Sequence, residues 1–160
     1  MLCLLSSCAT YRQQSGRYYA ELERGNYTQA EKELKKNKLL KKERNRLLLL
    51  LEKGKLAHMQ GKWEESNRYF NEADGRMESD RQSVGDITLG TLLNPMMKKY
   101  RAEDFEKYLI HYYKALNYLQ LGDHEEALVE ARRITLRIYM QDDKVGNKNK
   151  FSEDAFSLSL

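Results

Sequence analysis

Residues 115–133 read ALNYLQLGDHEEALVEARR, and how this stretch folds decides the architecture of the chain. Gly122 is a turn glycine, followed by the polar Asp123 and by His124, with the small Ala127 five places on. Apolar residues flank the turn at helical spacing. Phe105, Tyr108, Leu109, Tyr112, Leu116 and Leu119 lie before it, and Ala127, Ala131, Ile134 and Ile138 after it. Small residues at Ala115, Ala127 and Ala131 fit two helices that cross closely. The stretch predicts a helical hairpin.

The same turn recurs upstream as Gly25-Asn26-Tyr27-Thr28-Gln29-Ala30 and Gly61-Lys62-Trp63-Glu64-Glu65-Ser66. Each copy is a glycine, a polar residue, a ring side chain (Tyr27, Trp63 or His124) and a small residue five places after the glycine. The ring is expected to fill the wedge between the two helices. The interval from Gly25 to Gly61 is similar to the 34-residue tetratricopeptide repeat, and the turn resembles that family's G-[DN]-[YW]-x-x-A. The resemblance implies an all-α solenoid of about three hairpins, with Gly25, Tyr27, Ala30, Gly61, Trp63, Gly122, Asp123 and Ala127 as turn and packing residues. Tyr18 and Ser66 depart from the small residue and the alanine the repeat would have. Helices are expected near 12–24, 27–37, 42–60, 63–77, 102–120 and 123–140, with the first two hairpins within 9–78 and the third in 102–140.

The interval from Gly61 to Gly122 is much longer than that from Gly25 to Gly61, so a segment has been inserted before the third hairpin. It is SDRQSVGDITLGTLLNPMMKKYR, 79–101, which holds Gly85, Gly90 and the only proline, Pro95, and is expected to be a loop with at most a short helix. The last segment, 141–160, reads as a linker and the start of a further helix. Ser152 serves as its cap, Glu153 and Asp154 form its first turn, and Phe156, Leu158 and Leu160 supply apolar surface. The expectation is a native chain that continues into another hairpin, because solenoid repeats bury their faces against the next repeat.

Residues 1–8 carry a different signal. Leu5-Ser6-Ser7-Cys8 resembles the lipobox of bacterial lipoproteins, which implies cleavage before Cys8 and acylation of its thiol. Residues 1–8 are then a shortened signal segment, since only five apolar residues precede Ser6 and a complete leader has a basic start and about 7 to 15 apolar residues. The expected leader extends upstream of Met1. Several acyl chains on one cysteine anchor stably, each buried methylene contributing about 0.8 kcal/mol. Ala9, rather than aspartate, after the cysteine implies transfer to the outer membrane, periplasmic side, of a Gram-negative bacterium. Residues 100–133 also resemble a block of an uncharacterised family of bacterial tetratricopeptide-like lipoproteins, with Ala102 in place of that block's usual glycine.

Composition limits other readings. Net charge is +4, and the one lopsided stretch, 32–46, has eight cationic and two acidic side chains. It could meet an anionic polymer or nucleic acid, but no aromatic residue is interleaved for base stacking, and a solvated helix face is the favoured reading. His58, His111 and His124 lack the i, i+4 spacing of a helical zinc site, and His124 is read as a packing residue. Glu103, Asp104, Glu106 and Glu130 with Arg132 and Arg133 read as an interhelical ion-pair network rather than an acid–base pair. The expectation is a non-enzymatic scaffold without metal or cofactor and without a small-molecule substrate. Its concave face holds a protein or peptide partner, and a lipid on Cys8 holds it to the membrane. A soluble cytoplasmic adaptor is the competing reading.

Overall fold

The computed structural model describes residues 11–82 and 99–145. Among these the chain is all-α. Six helices follow one another: α1 (Tyr11–Glu23), α2 (Tyr27–Lys36), α3 (Arg46–Met59), α4 (Trp63–Gln82), α5 (Asp104–Leu121) and α6 (His124–Val145). Consecutive helices pair as α1 with α2, α3 with α4, and α5 with α6, and α4 packs along α5 to join the last two pairs.

The three turns are built alike. Gly25, Gly61 and Gly122 have φ of +75°, +72° and +77°, a conformation open to glycine and strained for other residues. At each, the glycine N–H donates to the carbonyl three residues back and the next N–H to the carbonyl five back. The pairs are Gly25 to Leu22 with Asn26 to Glu21, Gly61 to His58 with Lys62 to Ala57, and Gly122 to Leu119 with Asp123 to Tyr118. This double bond closes the orphan carbonyls of the first helix and turns the chain straight into the second. Asp123 then caps α6, its Oδ1 accepting the Glu126 N–H at 3.2 Å.

Helix limits differ from expectation at three ends. Residues 43–45 form a 3-10 turn before α3 starts at Arg46. There Asn45 donates from its side chain to the Leu39 carbonyl at 2.8 Å, which bends the entry. α4 runs to Gln82 and α6 to Val145, because neither 78–82 nor 141–145 contains a glycine or proline to stop them. α5 opens with a capping box in which the Glu103 and Glu106 side chains take each other's backbone N–H groups. The remainder of the expected loop, with Gly85, Gly90 and Pro95, lies outside the described residues, as do the lipobox (Leu5, Ser6, Ser7, Cys8) and the Ser152–Leu160 helix start.

The core forms three linked clusters. Tyr18, Ala30, Leu34, Leu40, Leu49 and Leu56 join the first hairpin to α3. Leu47, Leu50, Phe70, Ala73 and Ile110 join α3, α4 and α5, and Tyr108, Ile134 and Ile138 close the third hairpin. The tightest point is Gly54 on α3. A Cβ there would stand 2.6–2.8 Å from three ring carbons of Phe70, so only glycine admits the ring. Opposite it the Ser66 hydroxyl donates to the Gly54 carbonyl at 2.8 Å, which gives a reason for serine where the repeat resemblance expects alanine.

Gly54→Ala is expected to destabilise the protein by about 1–3 kcal/mol, since the ring and its neighbours must shift. Urea unfolding of G54A against G54A with Phe70→Leu checks the cause: the smaller side chain should return part of the loss.

Candidate functional site

Three polar clusters are built into the seams between helices. The first surrounds Glu52 of α3, a buried carboxylate. Its Oε2 accepts the Tyr18 hydroxyl at 2.8 Å and faces Lys55 Nζ at 2.6 Å. Its Oε1 lies 2.5 Å from the Tyr19 hydroxyl and 3.1 Å from that of Tyr11, while the two phenol oxygens are 2.7 Å apart. Two protons serve these three contacts, so one hydroxyl shares its proton between two acceptors. Burial pushes the Glu52 carboxyl up, but the Lys55 charge and the hydrogen bonds from Lys55, Tyr19 and Tyr18 outweigh it and hold the group below its usual range. Burial together with the Glu52 charge pushes Tyr11 up to about 12 and raises Tyr18. Tyr19 is also raised, by burial and by its hydrogen bond to Glu52.

The second cluster lies between α4, α5 and α6. Glu130 Oε2 stands 2.7 Å from His111 Nδ1, and its Oε1 takes Lys114 Nζ at 2.7 Å and Arg133 at 3.2 Å. Arg137 donates from Nε to His111 Nε2 at 2.7 Å and pairs with Asp74 of α4 through its other arm. A guanidinium only donates, so His111 Nε2 accepts and Nδ1 carries the proton given to Glu130. Glu130 is 2% exposed and Lys114 1%. Burial raises the Glu130 carboxyl, and the bonds from His111 and Lys114 more than offset this and keep it low.

The third cluster centres on Asn117 of α5, which is 0% exposed. Its amide nitrogen donates to Ser66 Oγ at 2.9 Å and to Asn67 Oδ1 at 2.8 Å, and its oxygen accepts from His58 Nδ1 at 2.6 Å. With Ser66 passing its own proton to Gly54, the Asn117 amide nitrogen and oxygen and the Ser66 hydroxyl all have partners. The His58 ring stands edge-on to Trp63 and to Tyr113, and Tyr113 stacks on Phe70 at 5.5 Å.

The repeat residues read from the sequence differ in burial. Ala30 and Ala127 are buried at the hairpin crossings, while Tyr27 and Trp63 are half-buried wedges. His124 departs from the packing expectation: it is exposed and lines a shallow cleft, because no described element covers the third turn. The expected network between the acidic residues at the start of α5 and Glu130 with its arginines takes another form. Glu106 goes to the Tyr100 hydroxyl at 2.6 Å, whereas Glu130 is held by His111, Lys114 and Arg133. In the basic stretch, Lys35 pairs with Glu31, Lys36 with Glu33 and Arg46 with Glu72. No group of three or more His, Cys, Asp or Glu that could hold a metal occurs among the described residues, nor any helix long and apolar enough to cross a membrane. Chemically, the clusters hold buried charge and amide groups in fixed registers between helices.

A scan against family models, a search of curated proteins and a search of solved structures each found nothing that matches this chain.

Two tests follow from the Glu52 cage. Tyr18→Phe leaves a buried carboxylate short of one donor and should cost about 1–3 kcal/mol in urea unfolding. The raised phenols bind protons more tightly folded than unfolded, so their contribution is complete below about pH 10 and is lost as pH rises toward 12. Phenolate absorbance of the cage should therefore appear together with the loss of helical circular dichroism. Titration of all eleven tyrosines near pH 10 with the helices intact would contradict the cage.

Proposed function

We propose that the chain is a lipid-anchored scaffold of tetratricopeptide-like hairpins on the periplasmic side of the outer membrane. Its stacked hairpins form a concave face that holds a protein or peptide segment without covalent chemistry. The observation that carries the solenoid reading is the threefold recurrence of one turn. Gly25, Gly61 and Gly122 share the left-handed backbone and the same pair of closing bonds, each followed by a small residue at the helix crossing. A repeated turn of this kind aligns successive hairpins in one sense, the geometry from which an extended groove arises.

The anchor rests on Leu5-Ser6-Ser7-Cys8, and the outer-membrane destination on Ala9 after the cysteine. The two parts of the reading are complementary: a thioether lipid fixes one end of the chain, and the hairpins extend a binding surface from it. The buried charges serve this role through register. Glu52 and Glu130 each sit in a seam between helices, where a shift of one residue would strand a charge without its partners.

With a complete signal peptide fused upstream, the protein expressed in a Gram-negative host should fractionate with outer membranes, and Cys8 should carry diacylglyceryl and amide-linked acyl groups by mass spectrometry. Cys8→Ser should be unprocessed and lipid-free. Unprocessed, lipid-free masses for both forms, differing only by the exchange of sulfur for oxygen, reject the anchor and favour the soluble adaptor.

A further inference from the structure

Successive helices alternate in direction, so the fold has two ends. The three glycine turns share one of them. Gln60, beside the second turn, donates to the Tyr27 carbonyl beside the first, and His58 meets Asn117 ahead of the third. The start of α1, the end of α2 and the start of α3 share the other. There the Asn37 amide donates to Ser15 Oγ at 3.0 Å, about one helical turn after Tyr11, and Tyr11 packs on the cluster that contains Leu40. The Tyr100 N–H on the Arg44 carbonyl brings the entry to α5 to the same end.

The link from α2 to α3 at this end is a braced loop with its charges turned outward. Asn37 Oδ1 accepts the N–H groups of Leu39 and Leu40 at 3.0 and 3.1 Å, Asn45 holds the Leu39 carbonyl, and Leu40 is wholly buried. With Asn37 and Leu40 turned in, Lys36, Lys38, Lys41 and Lys42 are left exposed. Lys36 pairs with Glu33. Lys38, Lys41 and Lys42 meet no acidic side chain among the described residues, and the adjoining Glu43 is taken by Arg76.

Local stability does not explain these cations. Lys35 and Lys36 suit the C-terminal end of α2, but Lys41 and Lys42 stand just before the 3-10 turn and α3, where a helix dipole disfavours positive charge. The sign reverses at the turn end, where exposed Glu23, Glu64, Asp123, Glu125 and Glu126 outnumber Arg24 and Lys62.

Residue 8 is tied close to the lysine loop. Three residues, fully extended, span about 11 Å, so a lipid on Cys8 enters the membrane no farther than that from Tyr11. We infer that the 36–42 loop is a membrane-contact surface that rests on anionic headgroups beside the anchor, so that the hairpins stand with their glycine turns and acidic end away from the bilayer. This surface presupposes the anchor at Cys8 proposed above and orients the fold on it. An anionic leaflet favours a cation at its surface about fivefold per side chain, and the attraction decays within a Debye length of about 8 Å, so charges held near the anchor count most. The acyl chains supply retention, and the lysines supply the stance. Nucleic acid would meet the same charges, but only the headgroups are brought to them by a tether.

The test uses the full chain with Cys3→Ser, coupled through Cys8 to a maleimide-bearing lipid, which makes it independent of cellular acylation. On vesicles of phosphatidylcholine and phosphatidylglycerol in equal parts, Lys38, Lys41 and Lys42 should be acetylated by a water-soluble reagent about fivefold more slowly than on phosphatidylcholine alone, with Lys62 unchanged. High salt should remove the contrast. This arm needs no charge variant. In a second arm the uncoupled chain should co-sediment with the anionic vesicles at low salt, and Lys38→Glu with Lys41→Glu and Lys42→Glu should weaken this about tenfold or more. Arg24→Glu with Lys62→Glu and Arg68→Glu, the same change of net charge placed toward the turns, should weaken it less than about threefold. Equal protection of Lys62 and the loop lysines, no difference between the two vesicle types, or equal losses in the two charge variants overturns the proposal. So does tighter binding to a duplex oligonucleotide than to the anionic vesicles, lost in the same loop variant, which assigns the lysines to nucleic acid. A Cys8 without lipid in cells, together with protected loop lysines in the coupled protein, rejects the anchor and supports the surface.

Discussion

The arrangement of the second and third hairpins depends on one buried amide. Asn117 lies on α5, but every hydrogen bond its side chain makes is to a residue of α3 or α4: His58, Ser66 and Asn67. A buried amide left short of partners costs about 1–3 kcal/mol per lost bond, so sliding α5 by a single residue carries a penalty that apolar contacts alone would not impose. The hydrophobic cluster of Leu47, Leu50, Phe70, Ala73 and Ile110 supplies attraction without direction. Asn117 supplies the direction. Ser66 extends the constraint to the Gly54 carbonyl and so ties the place of α5 to the close approach of α3 and α4.

The charged seams act in the same way at the two ends. Glu52 faces the first hairpin and Glu130 the α5–α6 pair, each with a lysine and with neutral or charged donors that complete its coordination. Ion pairs this deeply buried are weak evidence for net stability, because desolvation opposes their attraction. Their clearer effect is that alternative packings leave a charge without a partner. Arg137 extends the second seam to α4 by joining His111 and Asp74, so three helices share one network.

Helices and turns were legible in the sequence because their causes are local. The glycine of each turn, the small residue five places on and the helical spacing of Phe105, Tyr108 and Tyr112 are all properties of short windows. The polar seams were not, because their members are distant in the chain: Tyr18 and Glu52 are 34 residues apart, His58 and Asn117 59, Asp74 and Arg137 63. Two signals pointed toward them. Glu52 follows the run Leu47–Leu51, where a carboxylate on a buried helix needs a partner, and Lys114 and Asn117 interrupt the apolar face of α5. Tyr18 stood out as too large for its repeat position. Its size is the solution: the phenol reaches across to Glu52 and gives it a donor that a smaller side chain would not supply.

One backbone contact has an effect beyond packing. The Tyr100 N–H donates to the Arg44 carbonyl at 2.8 Å, so the chain re-enters the fold at a point fixed beside the start of α3, and Glu103 and Glu106 open α5 shortly afterwards. The polypeptide between the end of α4 and Tyr100 thus leaves from one defined place and returns to another. Closing a longer segment between two fixed points grows only logarithmically in entropic cost, about 0.6 kcal/mol for each doubling of length. Whole modules can therefore be spliced in or cut out between the second and third hairpins at small thermodynamic cost, with the interface centred on Asn117 unchanged. At this junction relatives could diverge in length while keeping the same helical frame.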